Sequence, residues 1–244
     1  MFFLSFLLLS SLISFVQSDP FVFGSGCFWG RQHAFVQLEQ HKWNRTASTQ
    51  ITTTGGYFGG NPTSTEACYY NQHSISVYSQ EGHAEVVTLD VPSIHHLKEA
   101  FHVYFQSFVR IAPTSNIWVR EDNFDAGPGY RAMIGFVGGI HNVTVMNLLR
   151  NMNTHNVTYK EAQGSDSDTL GLNLIWIYDT GAAYEEAGNW QMVFPVHQSE
   201  LCLQFHNNQT GTYSKKYHAL KETLIQSGRL KETKCPMPEI DSCL

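Results

Sequence analysis

The chain of 244 residues is 42% hydrophobic and 15% charged, with a formal net charge of −6. That is enough apolar material for one packed domain and too little charge for a disordered chain. No basic stripe or Lys/Arg cluster marks a surface for nucleic acid or anionic lipid.

Residues 1–15 are apolar plus serine, without a charge. They are too short for a membrane span, and Val16-Gln17-Ser18 has the small residues a signal peptidase requires. The expected organisation is a signal peptide over 1–18, one domain over 19–210 and a cysteine-bearing tail over 211–244. Such a chain is secreted, or resides in the endoplasmic reticulum or extracellular space, with no membrane attachment after cleavage. Glycosylation triplets headed by Asn44, Asn142, Asn156 and Asn208 agree with this, whereas Pro62 blocks Asn61. The five cysteines, Cys27, Cys68, Cys202, Cys235 and Cys243, are an odd number. In an oxidising compartment that leaves a free thiol, or pairs that exchange.

Phe21-Val22-Phe23 reads as a strand that turns at Gly24-Ser25-Gly26. A helix follows from Cys27, with Ala34, Phe35 and Leu38 on one face. Residues 52–62 are rich in glycine and read as a loop. Residues 82–89 alternate as a strand, and Pro92-Ser93 opens a helix capped by Ser93. Ile94, Leu97, Phe101, Tyr104, Phe105 and Phe108 recur at helical spacing and are expected in the core. A strand over 130–137, a helix over 143–152 and a strand carrying Leu170, Leu172, Leu174 and Trp176 complete the pattern. Strands alternating with helices indicate helices packed on a sheet, an α/β or α+β domain. The polar, basic tail after Thr210 is expected to lie over the domain without a core of its own.

Cys27 follows a glycine-rich turn at the first turn of a helix, where unpaired N–H groups and the helix dipole favour a thiolate. Gly24 and Gly26 would let a substrate approach the backbone closely. The plainer reading is a buried cysteine beside core aromatics, and position alone does not choose. Phe28 and Trp29 offer either core packing or a polarisable slot for a methyl thioether. Glu85 shares a strand face with Val87 and Leu89, and desolvation there raises a carboxyl pKa toward that of a useful acid. The other possibility is an edge-strand glutamate facing water. Asp125 and Tyr130, taken alone, read as a loop turn followed by a core tyrosine. His95, His96 and His102 lack metal-ligand spacing, so no metal is expected.

Three blocks in order resemble the signatures of the A-type peptide methionine sulfoxide reductases: Gly26-Cys27-Phe28-Trp29-Gly30, Gly82-His83-Ala84-Glu85-Val86-Val87 and Asp125-Ala126-Gly127-Pro128-Gly129-Tyr130-Arg131. The resemblance covers about residues 21–137. It implies an α+β fold, a mixed β-sheet with packed helices in a two-layer ferredoxin-like sandwich, with a long irregular C-terminal tail. It implies reduction of methionine-S-sulfoxide, free or in proteins, through a Cys27 sulfenic acid and a disulfide. In that chemistry Cys27 is the nucleophile, and Phe28 and Trp29 hold the substrate methyl group. Glu85 protonates the sulfoxide oxygen, Tyr130 hydrogen-bonds it, and Asp125 orients the site from behind. No bound cofactor is implied, only an external dithiol reductant, thioredoxin-like or a small thiol. The expected partners are oxidised proteins or methionine sulfoxide, acting on a monomer.

Two departures stand out. The family carries a tyrosine where Ser64 stands, so Tyr69, Tyr70 and Tyr78 are the candidates to replace its hydroxyl. Family members also use tail cysteines to resolve the sulfenic acid, which makes Cys235, then Cys243, the resolving candidates. A permanent Cys235–Cys243 staple is the competing arrangement, and Cys68 reads as a buried structural thiol. Around Glu200-Leu201-Cys202-Leu203-Gln204 the resemblance is faint. Two other functions remain: a secreted, non-catalytic relative acting as a binding protein, and a papain-like cysteine protease, whose flanking pattern Cys27 lacks.

Overall fold

The computed structural model describes residues 20–69, 77–181, 194–207 and 211–236. The expected signal segment, Tyr70, Asn208 and Cys243 fall outside them. In chain order the elements are β1 (Phe21–Gly24), α1 (Phe28–His41), β2 (Thr54–Phe58), β3 (Ala84–Leu89), α2 (Ile94–Phe105), β4 (Phe108–Arg110), β5 (Trp118–Arg120), β6 (Met133–Phe136), α3 (Val143–Met152), β7 (Thr158–Glu161), β8 (Leu174–Asp179), β9 (His197–Gln198), α4 (Lys215–His218) and α5 (Leu220–Gln226). Among the described residues no helix is long and apolar enough to cross a membrane.

The fold is α+β. Seven strands form one mixed sheet in the order β7-β8-β6-β1-β3-β2-β9, and β4 and β5 form a separate hairpin. β8 runs parallel to β6 and β7, while the other pairings are antiparallel. Alternation along the strands sorts the core into two faces. Phe23, Val87, Leu89 and Ile134 meet Phe35, Leu97, Phe101 and Met146 on the helix side. Val22, Val86, Met133 and Tyr178 pack with Phe58 on the other. α2 starts where Ser93 accepts the His96 N–H, and Asn142 caps α3 through Val145 N–H at 3.1 Å, each satisfying a donor the helix cannot.

Several expectations are corrected. The glycine-rich stretch is not all loop: β2 runs through it, because a Cβ on Gly55 would lie 2.6 Å from the Phe28 ring and one on Gly56 2.5 Å from the His197 carbonyl. Those glycines admit close neighbours to a strand. Ile94, at the start of α2, is 50% exposed, and Phe108 belongs to β4. Leu170 and Leu172 precede β8 and are exposed. The tail lies over the domain, as expected: on α4, α5 and the residues after them, Tyr217, Leu220, Leu224 and Leu230 bury against Val36, Ile51 and Phe205.

Glu39, fully buried on α1, ties that helix to the approach of β2. Its carboxylate accepts the N–H and hydroxyl of Thr52 and of Thr53 and pairs with Arg45. Glu39→Ala strands those donors and the guanidinium. The expected loss is about 3–5 kcal/mol of stability, read as a lower urea midpoint at unchanged slope; a loss below about 1 kcal/mol would deny the cluster this role.

Candidate active site

The chain enters α1 with three consecutive N–H groups that have no partner within the helix, and the first two find carboxyl acceptors. Cys27 N–H donates to Asp122 Oδ2 at 2.8 Å. Phe28 N–H donates to Glu85 Oε2 at 2.9 Å. Trp29 N–H lies close enough to the Cys27 sulfur to lower its pKa. Two carboxyl groups and a thiol therefore gather at one helix terminus.

The outcome for Cys27 reverses the expectation of a lowered pKa. Burial pushes the thiol well up, the Glu85 carboxylate adds to this, the Trp29 N–H offsets part of it, and Asp125 and Asp122 raise it again. The helix terminus does favour negative charge, but acidic side chains take up that field before the sulfur can. The close approach at the glycine turn is also not a substrate's. Gly26 has φ +72°, and a Cβ there would lie 2.4 Å from Asp122 Oδ2.

Glu85 is 2% exposed on β3. Burial raises its pKa to about 8, against the Phe28 N–H, which lowers it; the nearby Asp125 charge raises it further. At neutral pH the carboxyl keeps its proton. Since Oε2 accepts from Phe28, Oε1 is left to carry that proton, 3.2 Å from the Tyr78 hydroxyl. The nearby Cys27 thiol lowers this pKa slightly. Below about pH 8 the charge of Glu85 is absent, and its contribution to Cys27 with it.

Tyr130, half-buried, is hydrogen-bonded to both Tyr78 and Tyr69, and burial first, then the Glu85 charge, lift its pKa to about 12. Both hydroxyls keep their protons at neutral pH and remain donors. Of the candidates to replace the hydroxyl missing at Ser64, Tyr78 touches Glu85 and Tyr130 directly, stacking on Tyr57 at 4.4 Å. Ser64 instead donates to Glu81 at 2.8 Å. The neighbouring Arg131, fully buried, holds Tyr178, Gly59, Gly82 and Pro128 together, fixing the ends of β2 and β3 against the turn that carries Tyr130.

Phe28 is 1% exposed and lies in the core, whereas Trp29 is half-buried and stacks on His206 at 4.4 Å. Asp125 acts on Cys27, Glu85 and Tyr130 through its charge.

Cys68 is not a free structural thiol, and Cys235 is stapled neither to Cys243 nor left free: the two are bonded to each other. Their sulfurs lie beside Glu200, the one cluster of potential metal ligands among the described residues, and the bond occupies them. Cys202 is disulfide-bonded too.

Sequence reasoning missed the supports behind the site. Glu200 accepts from the Tyr57 hydroxyl at 2.8 Å and from Tyr69 N–H at 2.7 Å. Gln204 accepts from Gly55 N–H and Gln32, and donates to the Gly55 carbonyl and Ser199. Asp122 was missed as well. Their signal was the weakly matching 200–204 block and an acidic residue beside the third signature.

A family model described as peptide methionine sulfoxide reductase matches residues 19–164, a stretch that contains Cys27, Cys68, Glu85, Asp125 and Tyr130 and ends before Cys202. Peptide methionine sulfoxide reductase MsrA of Vibrio vulnificus (strain CMCP6) is 32% identical over 117 residues, 46% of this chain and 44% of that protein. The chain thus matches less than half of that relative's length. The structure of methionine sulfoxide reductase A of Corynebacterium diphtheriae is 19% identical, with a TM-score of 0.39 over 74% of this chain and 72% of that one. With three signature blocks in order and a model covering more than half its length, the chain belongs to the peptide methionine sulfoxide reductase family.

Proposed function

We propose that this protein reduces methionine-S-sulfoxide, free or within oxidised proteins, to methionine, with Cys27 as nucleophile and Glu85 as acid. The carrying observation is a free thiol at the residue before Phe28, whose N–H is bound by a buried carboxyl that holds its proton at neutral pH. Sulfur attacks the sulfoxide sulfur. The carboxyl proton passes to the sulfoxide oxygen, and the thiol proton passes to the carboxyl. The hydroxyl then shifts from the substrate sulfur to Cys27 as the new S–S bond breaks, so that one thiol and one sulfoxide give one sulfenic acid and one methionine. Tyr130 and Tyr78 donate hydrogen bonds to that oxygen, Trp29 and the edge of Phe28 hold the methyl group, and the Asp125 charge favours the protonated carboxyl. A thiol, small or thioredoxin-like, restores the enzyme. The same reading takes β1-α1-β2-β3-α2-β6, ordered β6-β1-β3-β2, as a ferredoxin-like core.

The test is reduction of the separated sulfoxide epimers with dithiothreitol. Turnover of the S epimer alone is expected; turnover of neither would return the protein to the non-catalytic alternative. That alternative leaned on the tyrosine missing at Ser64, and Tyr78 supplies a hydroxyl from elsewhere. Tyr130→Phe and Tyr78→Phe are each expected to lower kcat by ~10²–10³. A Tyr78→Phe rate equal to wild type would take Tyr78 out of the mechanism.

The location, secreted or within the secretory pathway, belongs to the same proposal, and glycan mapping checks it. Asn44 and Asn156 are exposed. The Asn142 amide is spent, donating to the Val137 carbonyl at 2.9 Å while capping α3. Protein from a secreting eukaryotic cell is expected to carry glycan at Asn44 and Asn156 and none at Asn142. A chain bare at all three would count against secretion.

A further inference from the structure

The proposed reduction ends with Cys27 as a sulfenic acid, and a second thiol must reduce it before the next turnover. Among the described residues Cys27 is the free cysteine. Cys68 and Cys235 are bonded across 167 residues of sequence, and both are buried. Cys202 is buried and disulfide-bonded.

The segment that carries Cys235 is not a loose arm. Leu224 and Leu230 are buried in the cluster built on Val36 and Ile51. The Gln198 side-chain amide donates to the Lys231 carbonyl at 2.6 Å and accepts the Lys231 N–H at 3.0 Å. Arg229 pairs with Asp90 at 3.2 Å, and Lys234 N–H donates to Glu66 at 3.3 Å. Bringing Cys235 to Cys27 would require breaking all of these and the disulfide. The contacts between Cys27 and the bridge also pass through packed groups. Glu85 meets Tyr78, Tyr78 stacks on Tyr57, and Tyr57 donates to Glu200 beside the two sulfurs.

Cys27 itself is half-buried rather than enclosed. One turn along, a Cβ placed on Gly30 would meet nothing within 4 Å. The half-buried sulfur is thus partly reachable from solution, whereas the way to the bridge runs through packed side chains.

We infer that the Cys27 sulfenic acid is resolved directly by an external thiol, and that Cys68–Cys235 is a permanent staple holding the C-terminal segment rather than part of the catalytic cycle. This rests on the reductase reading above. The external thiolate attacks the sulfenic sulfur. An S–S bond forms, the S–O bond breaks, and the oxygen leaves as water with the proton from the thiol. A second external thiol then attacks the mixed disulfide at the outer sulfur, releasing Cys27 as a thiol and the two external sulfurs as a disulfide. Two electrons from two external thiols thus balance one sulfoxide reduced.

The experiment uses the full chain with its disulfides intact. The protein is mixed with excess methionine-S-sulfoxide and no reductant, then treated with dimedone and mapped by mass spectrometry without reduction. The expected result is about one methionine per protein, Cys27 as its dimedone adduct and an unchanged Cys68–Cys235 peptide. Glutathione added in place of dimedone, at about one equivalent so that no second thiol follows, should appear on Cys27 as one mixed disulfide. About one methionine, with Cys27 instead bonded to Cys68, Cys202, Cys235 or Cys243, would overturn the inference and leave the reductase reading standing. No methionine at all would remove the reductase reading and this inference together.

Discussion

Cys27→Ser is expected to abolish sulfoxide reduction, a fall on the order of 10³ or more in kcat, with the fold intact. Serine matches the thiol in size, and the backbone bond from residue 27 to Asp122 does not involve the side chain. What disappears is a sulfur able to attack the sulfoxide and keep its oxygen. The resting thiol is held protonated chiefly by burial, so the nucleophile has to be released within the site. A hydroxyl, whose proton is far harder to remove, cannot follow. The measurement is methionine formed per hour with dithiothreitol, beside the thermal unfolding midpoint. Activity within tenfold of wild type at an unchanged midpoint would place the chemistry on another group.

Much of this was legible in the sequence, for identifiable reasons. β1, β3, α2 and α3 carry clear apolar periods and caps, so local pattern and tertiary demand agree there. Glu85 announced its burial by alternating with Val87 and Leu89. The site residues lie in short blocks whose order survives divergence. The errors fall where a long-range partner overrides local pattern. Gly55 and Gly56 look like loop until Phe28 and the β9 backbone are placed against them. The thiol at a helix terminus looks activated until Asp122, 95 residues away, takes the first N–H. In the tail the helical spacing of Tyr217, Leu220 and Leu224 was passed over, and it takes Val36 and Ile51 beneath them to complete the cluster. The pairing of Cys68 with Cys235 follows from the folded path of the chain, which spacing cannot supply. Tyr78 is the same kind of case, since its hydroxyl reaches Glu85 from a segment with no signature of its own.

Glu85→Gln carries the second large effect, and it separates the acid role from simple support. Glutamine keeps the shape and can still accept the Phe28 N–H through its oxygen, but it has no proton to give. The rate is expected to fall by ~10²–10⁴, the range for losing a placed general acid. The pH profile should change with it. In the wild type the working form is the protonated carboxyl, so kcat declines as pH rises through about 8, the value to which burial first raises Glu85. That decline should be missing from the variant. Stability gives an independent reading with a defined sign. The folded carboxyl titrates at about 8 and the ordinary one at 4.5, so between those values the native state holds a proton that the unfolded chain has released. Wild-type stability therefore falls with rising pH across that window, from its full value below the unfolded pKa. Glutamine does not titrate, so the variant's unfolding midpoint minus the wild type's should climb steadily from pH 4.5 to 8 and then level. A difference that stays flat over the window would mean that Glu85 ionises like an exposed carboxylate, and the proton for the sulfoxide oxygen would have to come from Tyr130 or Tyr78 instead.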